Sequence, residues 1–306
     1  MSGALPATPA NPGTVLALVE DMAARLEAAG LTFSDGFGQG TTNAFDEAAW
    51  LVLWKLGLPI DDLDAVEDRP VTAAEHAGVA ALLDARISTR KPAAYLTGEA
   101  WLMGVPFYVD ERVIIPRSLI AELIDDGSID PWLGEHTRRV LDLCTGNGSL
   151  AILAALTYPD VTVDAADISL DALAVARINV DRHQLDSRIT LIESDGLAAC
   201  PRLEAGGYDL ILCNPPYVNA ASMAALPAEF RAEPSLALAG GSDGMDFVRS
   251  LFLAAAAHMS ENAVLVLEIG NERENFERAF PELEPLWFET SAGADQVLLL
   301  TREQLA

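Results

Sequence analysis

The stretch Tyr208-Asp-Leu-Ile-Leu-Cys-Asn-Pro-Pro-Tyr217 runs from an apolar, strand-forming segment directly into two prolines. Proline cannot donate a hydrogen bond to a β-ladder, and it biases the residue before it toward an extended conformation. The strand is therefore predicted to end at Cys213 or Asn214, before a stiff loop with an amide side chain, uncommitted carbonyls and one aromatic ring. Ligands of open α/β sheets bind at the carboxyl ends of the strands. The sequence thus predicts that this loop holds a planar nitrogen group for chemistry.

Strand and helix patterns alternate on both sides of this stretch. Predicted strands cover residues 139–144, 161–167, 189–193, 208–213, 263–269, 286–290 and 296–301, and predicted helices cover 148–158, 169–183, 246–259 and 272–280. Strands separated by helices favour right-handed crossovers and a parallel sheet. Only five residues join the last two strands, which is too short for a parallel crossover. The predicted fold class is α/β, a doubly wound, mostly parallel sheet with one antiparallel C-terminal strand.

The first third of the chain has a different pattern. Apolar residues repeat at helical spacing from Val15 to Leu26, residues 44–56 form a second apolar helix, and Thr72-Ala-Ala-Glu75 is a capping-box pattern. We predict a helical domain over residues 1–94, a β-hairpin connector over 95–117 and the α/β domain over 118–306, with Ser118 as a helix cap. The Pro/Ala-rich residues 1–13 carry no secretory signal pattern and are expected to form a frayed tail.

The charge of the chain limits its partners. The 306 residues include 46 acids and 19 bases, a formal net charge of −27. Such a surface repels phosphate backbones, so direct DNA binding is not expected, and it attracts a basic protein. No apolar run approaches the length of a membrane span. Three cysteines without metal-ligand spacing favour a reducing cytoplasm and indicate no metal site.

The first predicted strand-to-helix turn reads Asp142-Leu-Cys144-Thr145-Gly146-Asn147-Gly148. Glycines allow close approach of the backbone to a ligand, and the helix that follows presents free N–H groups to a carboxylate or phosphate. The turn has two glycines where a dinucleotide fingerprint needs three. By itself it is equally compatible with a purely structural turn.

Acidic residues follow the next two predicted strands. Asp167, before Ile168, can accept two ribose hydroxyls, as with NAD or S-adenosylmethionine, or it can cap the helix that starts near Ser169. Asp195, before Gly196, can accept from an adenine amino group or occupy a surface turn. Together with the glycine turn, these residues predict a nucleoside ligand.

Residues Asn214, Pro215, Pro216 and Tyr217 are the predicted catalytic group. An amide nitrogen is a poor nucleophile because its lone pair is delocalised into the carbonyl. The side-chain oxygen of Asn214 and the carbonyl of Pro215 can accept from an NH₂ group while Tyr217 stacks on its planar face. Holding the nitrogen in line with an electrophilic methyl group is then the main source of rate.

This assembly resembles the class I S-adenosylmethionine-dependent methyltransferases that modify glutamine, with a Rossmann-like fold. The family includes release-factor and ribosomal-protein glutamine methyltransferases. The segments Phe107–Ser118, Leu226–Pro234 and Gly240–Asp246 are similar to the ribosomal-protein branch, and the likeness covers nearly the whole chain. The resemblance implies methyl transfer from S-adenosylmethionine to the side-chain nitrogen (N5) of a glutamine. The glutamine would belong to the third protein of the large ribosomal subunit, a basic protein.

The resemblance also implies roles for individual residues. Cys144, Gly146 and Gly148 would hold the methionine end of the cofactor, Asp167 the ribose, and the 195–196 turn would border the adenine. Arg117 would close over the cofactor. The expected cofactor-binding residues are Asp142, Cys144, Thr145, Gly146, Asn147, Gly148, Asp167, Ile168, Asp195, Gly196, Asn214 and Arg117.

Two residues depart from the family pattern. Ala232 stands where the ribosomal-protein branch usually has histidine, and Gly196 where release-factor relatives have a bulky aromatic residue. These departures concern the fit of substrate or adenine and leave the residues of the catalytic group unchanged.

Four alternatives remain open from the sequence. A release-factor glutamine methyltransferase would share every motif. An adenine-N6 nucleic-acid methyltransferase uses a similar loop but needs a basic track for a flipped base, and a nicotinamide oxidoreductase needs the complete glycine fingerprint. A non-catalytic ribosome-assembly binding module has no need of the Asn-Pro-Pro-Tyr geometry.

Overall fold

A computed structural model of the protein describes residues 13–32, 36–37, 39–202, 204 and 206–306. Residues 1–12, which include nearly all of the predicted frayed tail, lie outside the described residues. The chain divides into two compact units, one comprising the chain up to Thr97 with Pro227–Ala232, the other Gly98–Leu226 with Glu233–Ala306. In the part of the chain that is described, no helix combines the length and apolar character needed to cross a membrane.

The first unit is helical. Its helices are α1 (Val15–Ala28), α2 (Ala44–Leu56), α3 (Ala73–Thr89) and the short α4 (Ala93–Thr97). Thr72 and Glu75 form the predicted capping box of α3, each side chain accepting from the other residue's backbone N–H. The apolar faces of α1, α2 and α3 enclose one hydrophobic core. Residues 227–232, predicted in the α/β domain, belong to this unit.

The second unit begins with a hairpin of β1 (Glu99–Leu102) and β2 (Val105–Tyr108), paired antiparallel. The two residues between the strands, Met103 and Gly104, both have positive φ angles, 48° and 72°. Two left-handed residues match the right-handed twist of a two-residue hairpin. The hairpin therefore lies where the connector is predicted.

The remaining strands form one seven-stranded sheet in the order β5-β4-β3-β6-β7-β9-β8. Their bounds are Arg139–Leu143 (β3), Thr162–Asp167 (β4), Ile189–Glu193 (β5), Tyr208–Cys213 (β6), Met259–Glu268 (β7), Leu286–Thr290 (β8) and Gly293–Thr301 (β9). Strand β9 pairs antiparallel with both neighbours, whereas β3 to β7 pair in parallel. The predicted α/β sheet with one reversed C-terminal strand is confirmed.

Both faces of this sheet are buried. Alternate residues of β6 pack into two different hydrophobic cores, with Leu210 and Leu212 in one and Ile211 and Cys213 in the other. The helices that pack on the faces are α5 (Ile120–Asp125), α6 (Ser149–Thr157), α7 (Leu170–Arg182), α9 (Asp246–Ala254) and α10 (Arg273–Ala279), whereas α8 (Ala220–Ala225) has no buried residue. A parallel sheet requires this double cover.

Two local predictions are wrong. The N-cap residue of α5 is Leu119 and not Ser118, although the Ser118 hydroxyl accepts from the Ile120 N–H at 3.3 Å while it donates to the carboxylate of Glu268. The helix predicted to reach Met259 ends at Ala254, and β7 begins at Met259. The Tyr208 N–H at the start of β6 donates to the carbonyl of His258, and this hydrogen bond joins the residue before β7 to the sheet.

Candidate active site

A cavity of about 260 Å³ lies within the second unit, at the carboxyl ends of β3, β4, β5 and β6. This is the position expected for a ligand in a doubly wound sheet. Most of the predicted site residues line it: Arg117, Asp142, Cys144, Thr145, Gly146, Asn147, Asp167, Ile168, Asp195, Gly196, Asn214 and Pro216. Gly148, Pro215 and Tyr217 are not among the described residues that line the cavity.

The glycine turn after β3 contains three left-handed residues, Cys144 (φ 64°), Gly146 (φ 55°) and Gly148 (φ 82°). For the non-glycine Cys144 this conformation costs roughly 1–2 kcal/mol. A hydrogen bond from the Thr145 N–H to the carbonyl of Ala166 at 3.0 Å holds the turn in place. A Cβ added at Gly146 would meet no atom within 4 Å, so the glycine serves the backbone conformation.

Gly148 does not line the cavity but lies directly behind the turn. It is the N-cap residue of α6, and a Cβ there would lie 3.3 Å from the Cβ of Ala176 in α7. The glycine thus permits close packing of α6 on α7 and supports the turn from behind.

Asp142 lies at the floor of the site, almost fully buried. One carboxylate oxygen, Oδ2, accepts from the Thr145 hydroxyl at 2.5 Å and from the Ala151 N–H at 3.0 Å. The other, Oδ1, is shielded from solvent and has no partner among the described residues. Burial raises the pKa of Asp142 to about 7, although these two hydrogen bonds lower it.

Asn147 presents the opposite polarity. Its Nδ2 is a buried donor without a partner among the residues that the structure describes, while its Oδ1 accepts from the Ser149 N–H. An unpaired acceptor on Asp142 and an unpaired donor on Asn147 therefore occur in one cavity lining. Both atoms are shielded from solvent, so a ligand with an ammonium and a carboxylate, such as an amino-acid group, would pair with them only after a side-chain shift that exposes them.

Asn179 of α7 supports this turn from outside the cavity. Its Nδ2 donates to the carbonyl of Asn147 at 2.9 Å and to that of Tyr108 at 3.0 Å, and its Oδ1 accepts from the Tyr108 N–H at 2.7 Å. One buried amide thereby fixes the hairpin and the glycine turn together. The sequence patterns gave no indication of this residue.

Asp167, at the end of β4, holds two backbone groups. Its Oδ2 accepts from the Gly146 N–H and its Oδ1 from the Ser169 N–H, each at 2.9 Å. The side-chain cap of α7 is Ser169 itself, which accepts from Ala172. Each oxygen of a carboxylate can accept a further hydrogen bond, so Asp167 retains capacity for hydroxyl groups. Burial raises its pKa.

The turn after β5 borders the same cavity. A Cβ added at Gly196 would meet no atom within 4 Å. The absence of a bulky aromatic residue at this position therefore leaves open space beside the cavity, next to the exposed side chain of Ile168.

After β6, the loop residues divide into two groups. Asn214 and Pro216 line the cavity, and the Asn214 side chain makes no hydrogen bond to any residue that the structure describes. Its amide oxygen and nitrogen are therefore available to a ligand. Pro215 is buried beneath them.

Tyr217 is held from three sides. Its hydroxyl donates to Oε1 of Glu268 at 3.1 Å. A Cβ on Gly270 would lie 2.4 Å from the ring, and a Cβ on Gly240 would lie 2.7 Å from the Tyr217 backbone. The Gly240–Asp246 segment noted in the sequence therefore packs on the loop that carries Asn214. Burial and the Glu268 carboxylate raise the pKa of Tyr217.

The connector contributes Arg117 to the cavity lining. Its guanidinium donates to both oxygens of Glu233, with both distances 2.7 Å, and to the carbonyl of Ile115. A bidentate pair of this kind fixes both position and orientation. Sequence patterns indicated no role for Glu233 or Glu268, although a carboxylate inside the apolar run 263–269 is a signal of buried polar function.

The Cys144 thiol faces that of Cys213, which ends β6. Their mutual hydrogen bond and burial raise the pKa of Cys144. The Cys144 thiol therefore keeps its proton at neutral pH.

Comparisons with known proteins agree with this geometry. A family model described as a methyltransferase small domain matches residues 123–270. The ribosomal protein uL3 glutamine methyltransferase of Bordetella pertussis is 53% identical over 294 residues, covering 95% of this chain and 96% of that protein. The protein of the same name from Burkholderia pseudomallei is 51% identical over 298 residues, covering 95% of each chain.

A third relative of that name, from Neisseria gonorrhoeae, is 50% identical over 271 residues, covering 88% of this chain and 89% of its own length. Such identity extends over both units of the fold. The resemblance to the ribosomal-protein branch of glutamine methyltransferases is confirmed. The chain belongs to the family of ribosomal protein uL3 glutamine methyltransferases.

Proposed function

We propose that this protein transfers a methyl group from S-adenosylmethionine to the side-chain nitrogen, N5, of a glutamine in the large-subunit ribosomal protein uL3. The observation that carries the proposal is the Asn214 amide, which makes no hydrogen bond to a described residue and lines the same cavity as Asp142 and Asp167. The names of relatives about half identical to this chain support the substrate. A ribosomal-protein substrate and three unpaired cysteines support a cytoplasmic location.

The residues of this chain would hold the cofactor as follows. Asp142 and Asn147 fit the ammonium and carboxylate of its methionine part, Asp167 the ribose hydroxyls, and Asp195 the adenine amino group. When bound, S-adenosylmethionine supplies a methyl group on a positively charged sulfur, and transfer to nitrogen releases one amide proton. Asp142, Asp167 and Asp195 all border the cavity, where negative charge favours a cationic ligand.

The loop after β6 would orient the substrate amide. The Asn214 side-chain oxygen and the Pro215 carbonyl are acceptors to which no described residue donates. Accepting both N–H groups of the glutamine fixes the amide plane and turns the nitrogen lone pair toward the methyl group. Positioning of this kind contributes several kcal/mol to the lowering of a barrier.

Asn214→Ala separates chemistry from cofactor binding. The substitution removes one acceptor for the substrate amide, so we expect methyl transfer to fall by at least roughly 100-fold while the Kd for S-adenosylmethionine changes by less than about threefold. Transfer is measured with radiolabelled cofactor and purified uL3, and binding by calorimetry. Loss of cofactor binding in the variant would instead make the loop a structural element.

Substrate identity is tested in cells. Mass spectrometry is applied to ribosomal proteins from cells with and without this chain. One glutamine of uL3 is expected to carry a 14-Da methyl increment in cells that have the chain and to lack it in cells that do not. An unchanged uL3 together with a new methyl group on a release factor would favour the release-factor alternative. Methylated adenine in DNA or RNA would favour the nucleic-acid alternative.

A further inference from the structure

Glu268 lies at the carboxyl end of β7, beside the end of β6 from which the Asn214–Tyr217 loop departs. In the parallel register Cys213 pairs with Leu267, so Glu268 follows directly beside the first loop residue. The side chain is buried, with 3% exposure. Burial raises its pKa, although the hydrogen bonds that it accepts lower it.

Each oxygen of this carboxylate holds a different segment of the chain. Oε1 accepts from the Tyr217 hydroxyl at 3.1 Å. Oε2 accepts from the Ser118 hydroxyl at 2.6 Å and from the Leu119 N–H at 2.9 Å. The first oxygen thus holds the loop after β6, and the second holds the chain immediately after Arg117.

Both of these segments line the cavity. Arg117 and Ser118 belong to one wall, and Asn214 and Pro216 to the other. Glu268 itself does not line the cavity, so it acts on the site through the residues that it holds. Glu268 therefore links the two walls by hydrogen bonds.

The chemistry of the side chain explains why a carboxylate is used. Burying a carboxylate without a cation is costly, and the Ser118, Leu119 and Tyr217 donors to Glu268 are neutral: two hydroxyls and one backbone N–H. A glutamine would avoid the charge but has only one acceptor oxygen. Only a carboxylate accepts on both sides at once.

Building on the proposed function, we propose that Glu268 is a positioning residue for methyl transfer. It sets the Asn214–Tyr217 loop at a fixed distance from the Arg117–Leu119 segment, so that substrate amide and cofactor meet in line. Tyr217 then serves as the anchor through which the carboxylate acts on Asn214 and Pro216.

The test is a double-mutant cycle on Glu268→Gln and Tyr217→Phe, with purified uL3 and S-adenosylmethionine. We expect each single variant to lower kcat roughly 10- to 100-fold, since small misplacements of reacting groups cost this much. The KM for uL3 and the Kd for the cofactor should each change by about threefold or less. In the Tyr217→Phe background, Glu268→Gln should lower kcat by only about threefold or less, because the two residues act as one unit.

Asp209→Asn is the matched control. Asp209 lies at the opposite end of β6 and accepts from the same kinds of donor: the Ser260 hydroxyl at 2.7 Å and the N–H groups of Arg138 and Arg139 at 2.8 and 3.0 Å. The Asp209→Asn substitution should lower the thermal unfolding temperature but leave kcat within about twofold of wild type. A purely structural Glu268 would behave in the same way.

The outcomes are distinct. An unchanged kcat in Glu268→Gln, or fully multiplicative losses in the double variant, would overturn the positioning role. If Glu268→Gln does not fold, Ser118→Ala and Tyr217→Phe each remove one donor and retain the carboxylate, and wild-type kcat in both would overturn it. A wild-type protein that binds cofactor but transfers nothing to uL3 would refute the proposed function instead.

Discussion

At the scale of single residues, the site is defined by polar atoms without partners. Buried polar groups in folded proteins are paired with few exceptions, yet Asp142 and Asn147 each keep one unpaired atom beside the same cavity. The cost of leaving such groups unpaired in the empty site is recovered when a ligand binds. The sequence predicted these residues as part of a glycine turn but gave no sign of which atoms remain free.

The raised pKa of Asp142 makes cofactor affinity depend on pH. In the free protein this carboxyl titrates at about pH 7 because burial disfavours its charge. A bound ammonium favours the ionised carboxylate, so cofactor binding lowers the pKa of Asp142. Below pH 7 this carboxyl is mostly protonated in the free protein, and binding therefore releases its proton. The association constant for S-adenosylmethionine is therefore expected to be roughly eightfold lower at pH 6 than at pH 7.5.

Calorimetric titrations across this range measure the effect. The range stops at pH 7.5 because an α-amino group titrates just above it, near pH 7.7–8.0. Asp142→Asn cannot ionise, so its affinity should be weaker at pH 7.5 and flat down to pH 6. An equally steep pH dependence in that variant would assign the titration to another group, such as Asp167.

At the scale of elements, residues 227–232 are the main difference between expectation and structure. This segment belongs to the helical unit, where Glu229 is buried together with Arg86 and Glu47. The Arg86 guanidinium donates to Glu47 at 2.8 Å and to Glu229 at 3.1 Å, and Arg90 lies 2.6 Å from Glu229. Two buried glutamates are thus matched by two arginines.

Arg86→Met removes the cation from this network and leaves Glu47 and Glu229 without their shared partner. Breaking a buried pair from one side costs about 3–5 kcal/mol, so we expect a loss of this order in the free energy of unfolding, measured with urea. Arg25→Met is the control, because Arg25 pairs with the exposed Asp84. An exposed pair contributes about 0–1 kcal/mol, and equal losses in both variants would contradict a special role of the buried network.

The strands of the sheet and the reversal of the last one could be predicted from the sequence, whereas the strand order was not. Strands β5, β6 and β8 begin and end where predicted, since apolar runs between turn residues define them, and a short final connection was enough to reverse β9. What the sequence could not supply were contacts between distant segments. Ser118 has the side chain of a cap, but Glu268, 150 residues away, accepts its hydroxyl. The hydrogen bond from the Tyr217 hydroxyl to the same carboxylate likewise joins residues 51 positions apart.

At the scale of the whole molecule, the net charge of −27 is the dominant property. A strongly acidic protein attracts a basic partner over a distance of about one Debye length, about 10 Å at 0.1 M salt. The same charge repels nucleic-acid backbones. Association with a basic ribosomal protein would therefore be assisted by charge, whereas the glutamine itself, being neutral, would gain nothing from it.

Salt should consequently weaken the binding of the protein substrate without slowing the chemical step. We expect the KM for uL3 to rise roughly tenfold between 0.05 and 0.3 M NaCl, because screening removes long-range attraction. The kcat, set inside the cavity, should change by less than about twofold. A short neutral peptide containing the same glutamine is the matched substrate, and its KM should remain nearly constant over the same range. A KM for uL3 that does not change with salt concentration would mean that apolar contacts, and not the acidic surface, recruit the substrate.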